Sequence, residues 1–283
     1  MNTTEKLLLV DGSNLLFQMF FGMPARITGK DGRPIQGVLG FVGALLKIIR
    51  RVSPTHVAVL FDGEHENPRA ELNAAYKANR TDYSQTAEED NPFSQLPGVY
   101  AALDHLKIPH TEALTCETDD LIAGYALAYG AAAEIVISSF DSDFFQLISD
   151  KVSVLRYRGE ASVLCTPGYV EERFGVTPRQ YADFKALVGD TADNIRGAEK
   201  VGPKTAAALL KEHGTLTEVL ENAREIKRPS VRESILRDTE RLRINYRLIK
   251  LEGDVPLPFT WEELEYRPAG KTTGQVLTAI GLK

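Results

Sequence analysis

Three aspartates stand directly after short apolar runs: Asp11 after KLLLV, Asp62 after HVAVLF and Asp141 after EIVISSF, with Asp143 two residues further on. An Asp-Gly pair, as at 11–12 and 62–63, is by itself an ordinary turn. Three strand ends finishing in the same residue type imply more. In open α/β sheets the ligand crevice lies beyond the carboxyl ends of the strands, so these side chains should converge. The segment CETDDLIAGYA adds Glu117, Asp119 and Asp120 at the start of a helix, where acids also favour the helix dipole. On a helix Glu117 and Asp120 share a face and Asp119 points elsewhere. Glu117 and Asp119 therefore serve one site only if Glu117 still belongs to the preceding loop. Finally, LVGDTADNIRG sets Asp190 and Asp193 three apart at a helix end.

So many carboxylates in one place disfavour each other's ionisation unless cations neutralise them. Hard oxygen ligands select Mg²⁺ or Mn²⁺. The five histidines are scattered and Cys116 and Cys165 do not pair with them, which argues against zinc. Mg²⁺ usually needs only one or two carboxylates, so nine acids accommodate two ions and their supporting groups. Two ions ~3.5–4 Å apart clamp an in-line displacement at phosphorus. The chemistry alone points to a phosphodiesterase.

The elements that must position these acids follow from periodicity. KLLLV (6–10), HVAVLF (56–61) and EIVISS (134–139) read as buried strands, and 37–52, 93–106 and 119–130 as helices. Their alternation predicts an α/β fold with a mostly parallel central sheet flanked by helices. After about residue 166 the pattern turns helical, including a long 215–248 region punctuated by Gly and Thr-Pro. We therefore expect an α/β core over 1–175 and a helical lobe over 176–283. Hydrophobic residues at 43% and charged residues at 25% of 283 exclude a disordered or fibrous chain. Two cysteines are too few for a disulfide scaffold. The apolar stretch 7–21 is broken by Asp11 and Asn14 and lacks a small-residue cleavage site, and no run is long enough to span a bilayer. The expected compartment is the cytoplasm, with no membrane partner.

Lys and Arg total 33 against 39 acids, a net charge of −6 that by itself speaks against a polyanion partner. That average misleads. Setting aside the nine acids (11, 62, 117, 119, 120, 141, 143, 190 and 193) leaves 30 against 33, a mildly basic remainder. Basic residues also gather. RAELNAAYKANR carries Arg69, Tyr76, Lys77 and Arg80, with Lys77 and Arg80 on one face if the segment is helical. Residues 221–250 hold nine Lys or Arg against five acids. GAEKVGPKT nearly spells a phosphate-binding loop of NTPases, but Pro203 between Gly202 and Lys204 displaces the lysine and removes an amide. What remains is a glycine turn opening a helix, whose N–H groups can hold a nucleic-acid phosphate. The G-x-x-G-x-x-G spacing of GVLGFVG reads as close helix packing.

VDGSNLLF, the Asp62 strand end, YKANR, ETDDLIAGYA, SSFDSDFFQL, LVGDTADNIRG and VGPKTAAALL together resemble the bacterial and phage 5′→3′ exonucleases of the flap-endonuclease group. That group includes the nuclease domain of the repair-type bacterial DNA polymerase, and the likeness covers nearly the whole chain. The resemblance implies a PIN-like nuclease core with a helical arch over about 69–93. It also implies a helix–three-turn–helix element over about 186–212 in a DNA-binding lobe. Asp11, Asp62, Glu117 and Asp119 match its first metal group, and Asp141, Asp143, Asp190 and Asp193 its second; Asp120 borders both. Lys77, Arg80 and Asp120 carry over as catalytic groups. Arg69, Tyr76, Lys77 and Arg80 carry over as DNA contacts, with Gly197, Val201, Gly202, Lys204 and Thr205 in the helix–three-turn–helix. The implied cofactors are two Mg²⁺ ions, replaceable by Mn²⁺, and a K⁺ ion at that element. The implied partner is branched or nicked DNA with a 5′ single strand, RNA-primed strands included, met by a monomer. YKANRTDYSQTAEE and GDTADNIRG look closer to the phage enzymes, and the chain reads as a standalone form. Pro68, Ser142 and Arg196 depart from the polymerase-linked pattern, which has Phe, Lys and Pro there.

Two other readings share parts of this pattern. A non-catalytic binder of branched DNA would keep the fold, but it gives no reason for the second carboxylate group. A PIN-type ribonuclease shares the strand-end aspartates yet does not predict VGPKTAAALL or the basic strip.

Overall fold

The computed structural model describes residues 5–63, 68–83 and 85–283. Six strands form one sheet: β1 (Lys6–Asp11), β2 (His56–Asp62), β3 (His110–Ala113), β4 (Glu134–Ser138), β5 (Val152–Arg156) and β6 (Val163–Cys165), in the order β3-β2-β1-β4-β5-β6. All neighbours are parallel except β6, which runs antiparallel to β5 at the edge. The apolar runs are continuous because both faces are buried. Leu7 and Leu9 enter one core and Leu8 and Val10 the other, as strand alternation demands.

One face is covered by α1 (Gly12–Gly22), α2 (Gln36–Val52), α4 (Leu96–Leu106) and the late α11 (Thr273–Ala279). Two of the three glycines of α2 serve close packing, since a Cβ on Gly40 would lie 2.9 Å from Cβ of Met19 in α1 and one on Gly37 2.9 Å from Oε1 of Gln95, whereas Gly43 has ordinary room. The other face takes α5 (Thr118–Tyr129), and its core continues without a break into the helical lobe. That lobe comprises α6 (Pro167–Phe174), α7 (Tyr181–Val188), α8 (Pro203–His213), α9 (Leu216–Glu221) and α10 (Pro229–Ile249), with the two-residue strands β7 (Gly189–Asp190) and β8 (Ile195–Arg196). Tyr181, Leu187, Leu210 and Ile235 belong to the same core as Leu7 and Ile137, so one lobe braces the other. No helix among the described residues is long and apolar enough to cross a membrane.

Two expectations need correction. The basic segment is not one helix: α3 (Pro68–Leu72) stops after five residues, 74–79 is a series of turns, and short 3₁₀ turns follow at Glu88–Asp90 and Pro92–Gln95. Competing local bonds explain the break. Asn73 accepts from the Ala75 N–H at 3.0 Å, Lys77 adopts φ 55°, and its N–H goes to the Asp193 carbonyl at 3.0 Å. The 215–248 region is likewise interrupted between Glu221 and Pro229, where Pro229 starts a new helix at a position that needs no N–H. The short strands β3, β5 and β6 were not expected from periodicity.

Candidate active site

The chain leaves β1 toward β2 and β3, then returns to place β4 on the other side of β1. The switch point therefore lies between the carboxyl ends of β1 and β4, where an α/β sheet opens a crevice. Here a cavity of about 600 Å³ is lined by Asp11, Asp62, Glu117, Asp119 and Asp141, with Lys77 and Arg80 on its wall. Asp11 caps α1, accepting the Asn14 N–H at 3.0 Å. It is tied across the switch point by the Ser139 hydroxyl, which donates to Oδ2 at 2.8 Å. Ser139 Oγ also accepts the Asp141 N–H at 3.0 Å, and Ser13 Oγ accepts the Asp62 N–H at 2.9 Å. Short polar side chains thus fix the Asp11 carboxylate and the backbone at Asp62 and Asp141.

Glu117 is the N-cap of α5, with extended backbone at φ −69°, ψ 148°. It lies outside the helix, so it and Asp119 both reach the cavity. Asp120, one residue on, turns away: its Oδ1 accepts from Arg69 at 2.7 Å and from the Glu252 N–H at 2.8 Å. Arg69 is buried, paired also with Glu117 and bonded to the Lys250 carbonyl at 3.1 Å, and is not among the cavity's lining residues. Tyr76 is buried too, its hydroxyl 3.4 Å from Glu117, beneath the Lys77 ammonium at 4.9 Å from the ring centre. Lys77 donates to Glu117 at 2.8 Å.

A second carboxylate group lies at the joint with the helical lobe. Asp143, Asp190 and Asp193 offer oxygens within 4.8 Å of one another. Asp143 follows Asp141, whose Oδ1 accepts the Asp143 N–H at 2.8 Å. Asp190 and Asp193 come from the β7–β8 hairpin, and Asp190 accepts the Ala192 N–H at 2.9 Å. Asp141, which the resemblance groups with these acids, stands on the cavity wall with Asp11 and Asp119. Lys185 of α7 bonds both Asp143 and Asp190, and Arg80 reaches Asp193 at 3.1 Å.

The electrostatics follow the burial. Desolvation, with Asp62 and Asp141 nearby, pushes Asp11 up to about 7. Asp119 is raised well above the carboxylate range by burial and by Asp141 and Asp11. Burial also pushes Asp143 up to about 7, against the pull of Lys185. Asp190 is also desolvated, yet Lys185 and two backbone N–H groups hold it below its usual value. Carboxylates that resist ionisation beside one another define a site that gains by taking up cations.

The predicted helix–three-turn–helix residues lie between α7 and the start of α8. Gly202 is the N-cap of α8 and, like Lys204, is exposed; Thr205 is half-buried and Val201 buried. Gly197 has no alternative, since a Cβ there would lie 2.2 Å from the Val188 backbone. α10 pins the turn: Asn245 donates to the Ala186 and Arg196 carbonyls at 3.1 and 2.9 Å, and Arg241 to that of Gly197 at 3.1 Å.

Several residues near the site escaped sequence reasoning. Ser139 and Ser13 carry no motif of their own. Phe17, Tyr83 and Phe93 line the cavity and touch edge-to-face at centroid distances of 5.3–5.8 Å, although they lie far apart in sequence. Lys185 did leave a signal: a lone charge in the otherwise apolar FKALV of a core helix.

Fold and site together define a nuclease of the metal-dependent phosphodiester-cleaving class. Residues 6–175 match the model of the 5′-3′ exonuclease N-terminal resolvase-like domain, and residues 176–272 that of the 5′-3′ exonuclease C-terminal SAM fold. The chain belongs to the 5′-3′ exonuclease family. It is similar to DNA polymerase I of Rhizobium leguminosarum, 36% identical over 276 residues, covering 95% of this chain and 26% of that protein. It is also similar to the thermostable DNA polymerase I of Thermus thermophilus, 38% identical over 253 residues, 89% of this chain and 29% of that one. The chain thus spans under a third of these relatives' length. Among solved structures it shares the fold of the bacteriophage T5 flap endonuclease in complex with DNA and metal ions, with TM-score 0.72 and 24% identity over 87% of this chain and 89% of that one.

Proposed function

We propose that this chain is a structure-specific 5′-3′ exonuclease and 5′-flap endonuclease, cutting DNA phosphodiesters near single-to-double-strand junctions. It would act in the cytoplasm, in primer and flap removal during replication and in repair. The observation that carries this reading is the convergence of Asp11, Asp62, Glu117, Asp119 and Asp141 on one cavity that also receives Lys77 and Arg80.

The donor set suits hard cations: oxygen ligands only, two of them with pKa values pushed up by burial and by neighbouring carboxylates. Asp11, Asp62, Glu117, Asp119 and Asp141 would hold one Mg²⁺ or Mn²⁺, and Asp143, Asp190 and Asp193 a second. Bound there, the ions would supply an activated water and neutralise charge on the phosphate and leaving oxygen. Lys77 would leave Glu117 for a phosphate oxygen, donating where negative charge develops. Arg80, half-exposed, would move from Asp193 to the neighbouring phosphate. The Gly202 end of α8 and Lys204 would hold the duplex backbone without reading bases, with K⁺ at the adjoining turn. The T5 enzyme's complex with DNA supports the same assignment of partner.

A 5′-labelled flap duplex incubated with Mg²⁺ tests the proposal. Short 5′-labelled products are expected, leaving a 5′-phosphate and a 3′-hydroxyl at the cut. Absence of cleavage at every Mg²⁺ or Mn²⁺ concentration would overturn it, and a preference for RNA over DNA flaps would redirect it to ribonuclease chemistry.

A further inference from the structure

We infer that Lys185 is a built-in counter-ion of the second carboxylate group, and that it sets how tightly that group binds its metal. The inference rests on the two-metal reading above. Lys185 lies in the core helix α7 between buried Phe184 and Ala186, and is itself only 7% exposed. An ammonium that deep is tolerated only when paired, and both its partners, Asp143 and Asp190, are members of the acidic triad. One positive charge thus already sits where two of the triad's carboxylates meet. A divalent ion held by Asp143 and Asp190 would compete with the ammonium for their oxygens.

Arg80 on Asp193 is different, since 53% of its side chain is exposed and it can swing away onto DNA. Lys185 has no such exit. Its helix is fixed by the Asn245 bond to the Ala186 carbonyl and by Leu187 in the core. The expected consequence is a second site that stays assembled without metal and binds its ion more weakly than the first.

The experiment is a Mn²⁺ titration of the DNA-free chain, by calorimetry and by counting bound ions with electron paramagnetic resonance. The unmutated protein is compared with Lys185→Met and Lys185→Arg. Two classes of site are expected. The weaker should tighten at least tenfold in Lys185→Met and not in Lys185→Arg, with the tighter class unchanged. An unaltered weaker constant in Lys185→Met overturns the inference and leaves the two-metal reading standing. A single class of site in all three proteins overturns that reading, and the inference with it. Should Lys185→Met not fold, as judged by circular dichroism, the unmutated chain decides. The ¹³Cε resonance of Lys185 must then shift as Mg²⁺ fills the weaker site; a resonance that stays put overturns the inference.

Discussion

Asp11, Asp119 and Asp141 stand around an open cavity at the carboxyl end of the sheet, and among the described residues none of them makes an ion pair. Asp143, Asp190 and Asp193, at the joint between sheet and helical lobe, are each bonded to a lysine or an arginine. In the first group Asp11 is held by neutral donors, the hydroxyl of Ser139 and the N–H of Asn14, which direct it without cancelling its charge, and the cations Arg69 and Lys77 reach that group at Glu117. The second is assembled by cations. Repulsion stored in the first group is what a metal ion would relieve, whereas the second has part of that relief built in.

The largest effect expected from breaking this contrast is on turnover. Asp119→Asn, in the under-neutralised group, should lower kcat on a labelled flap by about 10²–10³-fold or more, the scale of losing one group that acts on transition-state charge. Its neighbour in sequence is the control. Asp120→Asn should leave kcat within about tenfold and instead lower the melting temperature, because Arg69 loses a buried charged partner. Equal loss of turnover in both variants would show that Asp120 reaches the reacting phosphate.

Next comes Lys77, which joins the turns of 74–79 to Glu117. Lys77→Ala should reduce kcat by about 10²-fold with intact duplex binding, and Lys77→Arg should recover part of it. Gel-shift and single-turnover assays separate the two quantities.

A smaller effect concerns stability in the absence of metal. Asp11 and Asp143 hold their protons to about pH 7 in the folded chain but to about 4 when unfolded. Between those values the folded state binds more protons, so stability falls as pH rises across the window and levels off above it. Thermal unfolding in EDTA at pH 5 and pH 8 should show this fall. Asp11→Asn should reduce it and melt higher than the unmutated chain at pH 8; a variant that melts lower there would mean that the capping bond outweighs the repulsion.

The smallest effect is Asn245→Ala, which removes the bonds from α10 to the Ala186 and Arg196 carbonyls. A cost of about 1–2 kcal/mol in urea unfolding is expected. The weaker metal class should loosen more than the tighter one, because the second group takes two of its three acids from that hairpin.

The strand-end aspartates were legible from sequence because an apolar run followed by Asp-Gly or Asp-x-Asp marks both the strand and its exit. Glu117 shows where local reasoning stops. Helical spacing alone separates it from Asp119, and only its extended backbone as N-cap of α5 brings both to the cavity. YKANR reads as a basic helix face, yet bonds to residues 191–194, more than a hundred positions away, turn it into a series of turns. Those partners leave no trace in a local window.

Sequence by itself thus determined the parallel sheet, the helical second lobe and the identities of the acids, since burial pattern and residue type are local properties. The tertiary structure decided how those acids are charged. Asp119 and Asp120 are the same residue type in one helical turn, but one meets Asp11 and Asp141 across the switch point and the other meets Arg69. Lys185 is a buried cation in a core helix with no charge partner until the hairpin brings Asp190 back against Asp143. Which charges neutralise each other depends on distances of a few ångströms between chain segments far apart in sequence, and those distances exist only once the two lobes have packed into one core.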